Sequence, residues 1–151
     1  MNTPVSDLLR PRGHLVVTSP ETTVLNAVEI MTNENIGSIL ILDASETLIG
    51  IFTERDLLKR VVAASLDPAK TPIKTVMSHD VITVKCTDLR IDVHNIMKVK
   101  HVRHVPVMKA GHVVGVVSLR DILRSANAEK DFEIDQLRGY ATDQPYPSYP
   151  G

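Results

Sequence analysis

Two short stretches carry the residue types that could do chemistry. From Gly50 to Arg60 the chain reads GIFTERDLLKR, and from Gly115 to Ser125 it reads GVVSLRDILRS. In each, a hydroxyl (Thr53, Ser118) stands three residues before a carboxylate (Asp56, Asp121), with an arginine (Arg55, Arg120) just before the carboxylate. Ser/Thr-x-x-Asp ahead of an apolar helical run is a capping pattern: the hydroxyl accepts a backbone N–H, and the carboxylate favours the positive helix end. The same spacing suits a ligand. A helix N-terminus is an anion site, and a carboxylate can accept both hydrogens of a vicinal diol. A glycine lets another group approach the strand closely. A phosphorylated sugar matches all of these features, and capping and binding are compatible at one helix end.

The elements that must position these residues also come twice. Laid on one another, Glu29–Met31 meets Asn95–Met97 and Ile36–Leu42 meets Val102–Met108. The leading segments VSDLL and IKTVM also correspond. Each copy opens with a short strand (HLVVT; DVITV) and a capping cluster (SPETT; KCTD). A helix follows in each: Val24, Ala27, Val28 and Met31 recur at helical spacing, as do Leu89, Val93, Ile96 and Met97. Two β-branched runs come next, joined by hairpin-sized links (DASET; KAG), and a final helix opens at the motif, over Asp56–Ala64 and Asp121–Ala126. The expected fold class is α+β: two β-α-β-β-α units packed with pseudo-two-fold symmetry. The first unit spans 3–64, a Pro-bearing connector 65–72, the second unit 73–126, and a helix and tail 127–151. A short charged helix is expected to end at Gly139, before an extended Pro/Tyr-rich tail.

Bulk properties narrow the function. Over 151 residues the chain is 43% hydrophobic and 23% charged, which fits a globular protein. A net charge of -1 gives no broad field for nucleic acid or anionic lipid, and 3% aromatics leaves few base-stacking surfaces. No run is long and apolar enough to span a membrane, and MNTPVSDLLRPRG has no apolar leader core. With one cysteine, a reducing, cytoplasmic location is expected.

Two β-α-β-β-α units, each ending in Gly-apolar-x-Ser/Thr-x-x-Asp behind an IM helix, resemble a tandem pair of CBS domains, a Bateman module. The resemblance covers about residues 3–126. It implies a regulatory adenosine-nucleotide sensor (AMP, ADP or ATP) and not an enzyme, with no catalytic cofactor. By the same resemblance, one cleft takes Thr53, Arg55 and Asp56 with Thr83 and Val102, Arg103, His104, Val105 and Pro106. The other takes Ser118, Arg120 and Asp121 with Val17 and Thr18 and with Ile36, Gly37 and Ser38. The Asp56 cleft, with Arg103 and His104, is expected to be the better monophosphate site. The Asp121 cleft is expected to be weaker, empty or open to a larger dinucleotide. The resemblance also implies a homodimer and an effector protein of unknown identity.

Three other readings stand beside this one. The ligand is NAD or S-adenosylmethionine, which carry the same ribose diol; the motifs only cap helices in a ligand-free interaction module; or an enzyme site goes unrecognised. Four of the six histidines fall between His94 and His112, with His101 and His104 read as lying on opposite faces of a strand, so no metal site is expected. Cys86 reads as a small semi-buried residue and His112 as a turn residue. Arg10 and Arg12, in LLRPRG, read chiefly as a solvated loop.

Overall fold

The computed structural model describes residues 3–9 and 15–140. A 3-10 turn at Val5–Leu8 precedes β1 (Val17–Thr18), α1 (Val24–Glu34), β2 (Ser38–Leu42) and β3 (Leu48–Thr53). α2 (Glu54–Asp56) passes directly into a π-helical stretch, Leu57–Val62. After a second 3-10 turn (Ile73–Thr75) come β4 (Val84–Lys85), α3 (Arg90–Lys100), β5 (His104–Lys109), β6 (His112–Ser118) and α4 (Leu119–Tyr140). This is the expected α+β architecture, β-α-β-β-α written twice.

The local causes repeat as the sequence does. α1 starts where the Thr23 hydroxyl accepts from Asn26 N, buries Val24, Ala27 and Met31, and stops at Asn35 in the left-handed region. α3 buries Val93 and Met97 and stops at His101, also left-handed, with φ 55°. His101 is therefore a helix cap, not a strand residue. The sheets run β1-β2-β3 and β4-β5-β6, each with one parallel and one antiparallel pairing. Both antiparallel ladders slip at matching places, Ile41/Leu42 and Val107/Met108. His112 opens β6 opposite Lys109 and so belongs to the strand, not the turn.

β1 and β4 are shorter than their apolar runs, with two residues each in the ladder. Ahead of β4, Val81 N donates to His79 O at 2.9 Å, a tight local turn that takes this backbone off the sheet.

The units exchange their leading turns. Val5 is fully buried with Val84, Val93, Met97, Val105, Val107, Val117 and Ile122 of the second unit. Ile73, Val76 and Met77 are buried with Val24, Met31, Ile39, Phe52 and Val61 of the first. Backbone bonds fasten both turns: Val5 N to Asp88 O and Arg90 N to Thr3 O, Ile73 N to Thr22 O and Val24 N to Thr71 O.

The last helix departs from expectation. Instead of one helix at the motif and a second charged one, α4 runs unbroken from Leu119 to Tyr140. An ion pair holds it past Asn127: Arg90, nearly buried at the start of α3, donates to Ser125 Oγ at 3.0 Å and to Glu129 at 2.6 Å. Thr3 Oγ1 donates to the same carboxylate at 2.9 Å. These bonds hold the Glu129 carboxyl below the usual carboxylate range. The expected tail beyond Tyr140, and Arg10 and Arg12, lie outside the described residues. Among the described residues no helix is long and apolar enough to cross a membrane.

Candidate functional site

Both motifs stand where a strand turns into a helix. At the first, the Thr53 hydroxyl accepts from Asp56 N at 3.3 Å while Asp56 Oδ2 accepts from Thr53 N at 3.0 Å, a reciprocal capping box. At the second, Ser118 Oγ accepts from Asp121 N at 3.1 Å and Asp121 Oδ2 accepts from Ser118 N at 2.9 Å. The capping expectation therefore holds at both ends.

The carboxylates differ in what else they meet. Asp56 is 7% exposed. Its Oδ2 also accepts from Thr53 Oγ1 at 3.2 Å, and Ser78 Oγ lies 3.3 and 3.4 Å from its two oxygens. Arg60 Nε stands 3.5 Å from Oδ1. Asp121 is half-buried, and among the described residues no hydrogen bond reaches it beyond that from the Ser118 amide.

The glycines expected to admit a ligand admit side chains instead. A methyl placed on Gly50 would lie 2.3 Å from Met77 Sδ, and one on Gly115 would lie 2.8 Å from Leu9 Cδ2. Met77 and Leu9 are equivalent residues just beyond the exchanged turns, so each fills the notch of the other unit.

The ladders also regroup the expected clefts. Ser38 lies opposite Thr53, and His104 lies opposite Ser118. Glu54 N donates to Gly37 O at 3.1 Å, and Leu119 N donates to Arg103 O at 2.8 Å. Each second-strand start thus borders the motif of its own unit, because the antiparallel hairpin returns there. In the backbone Arg103 and His104 stand beside Ser118, while the His104 imidazole reaches toward Gly37 and Glu54 of the first unit, the unit with which the sequence expectation had paired them. Gly37 and Ser38 border Thr53 and Asp56.

The units meet at these same ends. A Cβ on Gly37 would lie 3.2 Å from His104 Nε2 and 3.3 Å from Glu54 Cδ. Arg55 Nη1 points across to His101 O at 3.5 Å. Burial lowers the His104 pKa, against the pull of the Glu54 and Asp121 carboxylates, and neighbouring Arg103 lowers it further. The junction therefore holds a neutral imidazole at pH 7, two exposed guanidinia (Arg55, Arg103) and two acids.

The remaining candidates lie as follows. Arg120 is exposed. Val105 and Pro106 are buried, so only their main chain can face a ligand. Ile36 and Val102 pack against the two cores and close the αL turns after α1 and α3. Val17 pairs with Leu40, and Thr18 Oγ1 donates to Thr22 Oγ1 at 2.7 Å, within the following turn. Thr83 lines a cavity of about 290 Å³ with Thr47, His79, Val81, Met108 and His112 near the hairpin turns. Sequence reasoning missed Ser78 and Arg60. The arginine was visible four residues after Asp56, at helical reach, whereas Ser78 needed the fold.

Comparison with known proteins agrees with this architecture. A CBS-domain family model matches residues 5–63 and 73–127. The mitochondrial CBS domain-containing protein CBSX3 of Arabidopsis thaliana is 28% identical over 148 residues, 92% of this chain and 72% of that protein. An uncharacterized 17.7 kDa protein of Acidianus ambivalens is 33% identical over 126 residues, 83% of this chain and 74% of that one. The crystal structure of the CBS domain pair of protein MJ0100, in complex with 5-methylthioadenosine and S-adenosyl-L-methionine, superposes with a TM-score of 0.76. It is 27% identical, covering 85% of this chain and 99% of that one.

Proposed function

This chain belongs to the CBS-domain family, and we propose that it is a regulatory sensor of an adenosine ligand, AMP, ADP or ATP, acting through ligand-dependent change on a separate partner protein. The observation that carries the reading is the second motif. Asp121 caps α4 through one oxygen and keeps acceptor capacity for a ribose diol, while Arg103 and His104 stand beside its motif at the start of β5. A carboxylate for the sugar, and the Arg103 guanidinium with the His104 imidazole for a phosphate, thus converge on one helix N-terminus. Arg55 reaches the same junction from the other unit, so a bound phosphate bridges the two halves and favours one arrangement of them. The adenosine ligands of the MJ0100 pair support the class of ligand.

A homodimer belongs to the same proposal. Leu58 and Val62 on the π-helical stretch are 62% and 60% exposed, and Leu123 on α4 is 46% exposed. Apolar surface on both motif helices suits a second copy of the chain.

A thermal-shift panel of AMP, ATP, NAD, S-adenosylmethionine and unphosphorylated adenosine tests the reading. AMP is expected to stabilise the protein most among ligands at equal concentration. Stabilisation by S-adenosylmethionine or NAD alone would reassign the ligand. No stabilisation by any of them would leave an interaction module whose motifs only cap helices, the reading that the closed capping box at Asp56 favours for the first unit.

A further inference from the structure

The first motif is closed by a strap from the start of the second unit. Val76 to Ser78 lies along β3: Ile51 N donates to Ser78 O at 3.1 Å and Ser78 N to Ile51 O at 2.9 Å. Met77 fills the Gly50 notch, where a methyl on residue 50 would force its side chain to shift. Arg60 ties the strap to the motif helix, since its Nη1 donates to Met77 O at 3.0 Å while its Nε faces Asp56 Oδ1 at 3.5 Å. Arg60 sits within the π-helical stretch, a rare backbone form that recurs at functional positions. Ser78 completes the enclosure by directing its hydroxyl at both oxygens of Asp56. A diol would compete with Ser78 and Arg60 for this carboxylate's oxygens.

Among the described residues the second motif has no such cation. Four residues after Asp121 stands Ser125, where the first copy has Arg60. Its hydroxyl accepts from Arg90 at 3.0 Å.

We infer that Ser78 and Arg60 decide which of the two clefts takes a nucleoside: they hold Asp56 as a structural group, and each chain binds one adenosine ligand, at Asp121. This rests on the adenosine reading above. It assigns the ligand to one motif and makes the other a latched copy whose release would create a second site.

Isothermal titration of the full chain with AMP, and separately with 5-methylthioadenosine, reads the number of sites. Wild type is expected to take one ligand per chain, and Asp121→Ala none. Asp56→Asn, which keeps the side chain's shape, is expected to keep the single site, as is Asp56→Ala where it folds. Arg60→Ala combined with Ser78→Ala is expected to raise the count to two, and to restore one site when added to Asp121→Ala. Two sites in wild type, loss of the single site in Asp56→Asn, or a count of one in the folded Arg60→Ala/Ser78→Ala chain would overturn the inference while leaving the adenosine reading intact. Binding of neither compound to wild type would overturn both.

Discussion

Asp56 and Asp121 cap their helices in the same way, accepting from the Thr53 and Ser118 amides at 3.0 and 2.9 Å, yet only Asp56 is enclosed by Ser78 and Arg60. The contrast extends to the strands beside them. Gly37 and Ser38 border Asp56, whereas Arg103 and His104 border Asp121. A repeated motif therefore does not imply a repeated role. On the proposed reading, one copy keeps the carboxylate for the fold, and the other sets a carboxylate beside the Arg103 guanidinium and the His104 imidazole. Capping and recognition are separated between copies that remain superficially alike.

The sharpest test of this contrast is the pair of aspartate substitutions. Asp121→Ala is expected to abolish the AMP-induced thermal shift while the unliganded protein loses about 1 kcal/mol, the size of a lost cap. Asp56→Ala is expected to do the reverse, lowering unliganded stability in urea by about 2–3 kcal/mol, because Thr53 N, Ser78 and Arg60 lose a buried partner. Equal loss of AMP binding in both variants would erase the distinction.

Next in size is Arg103→Ala, expected to weaken AMP roughly tenfold or more in titration, since a charge-assisted bond contributes about 1.5–3 kcal/mol. Unphosphorylated adenosine should bind that variant unchanged. Loss of both ligands would place Arg103 in the fold instead of at a phosphate.

A smaller effect concerns pH. Burial lowers the His104 pKa below its ordinary 6.5, so as pH falls the unfolded chain takes this proton first. The His104 contribution is therefore complete above about pH 6.5 and declines below it until the folded-state pKa is passed. A phosphate favours the imidazolium, so AMP affinity should rise a few-fold over the same descent while adenosine affinity stays flat. Glu54, Asp121 and Arg103 face the same imidazole and set the extent of both changes. His104→Gln should flatten the two profiles.

Smallest is Gly37→Ala. Its methyl would crowd His104 Nε2 at 3.2 Å and Glu54 at 3.3 Å, both ends of side chains that can shift by a few tenths of an ångström. A Tm change of a degree or two is expected, with a change in the His104 imidazole resonance by NMR.

The sequence carried the fold further than it carried the site. Helical spacing at Val24, Ala27 and Met31, and again at Val93 and Met97, identifies α1 and α3, because a period of 3.6 records which face is buried. The two hairpins follow from their β-branched runs and short links. Pairing across the chain is not written in any local period. The return of β3 beside the start of β2 sets Ser38 against Thr53, and the same return in the second unit sets His104 against Ser118. Glycines 50 and 115 showed that something approaches closely, but not that Met77 and Leu9 do so. The continuity of α4 was hidden for a similar reason. Its charged stretch looks like a separate segment until Arg90 and Thr3, both distant in sequence, are found on Glu129.

The exchange of the leading turns constrains the order in which the chain can mature. Val5 precedes its buried core partners, which run from Val84 to Ile122. The Val5 turn must wait, apolar and uncovered, until nearly all of the second unit has been made. The first unit has a shorter delay, because Ile73, Val76 and Met77 arrive soon after Val61. Synthesis thus completes the unit that carries Asp56 before the unit that carries Asp121.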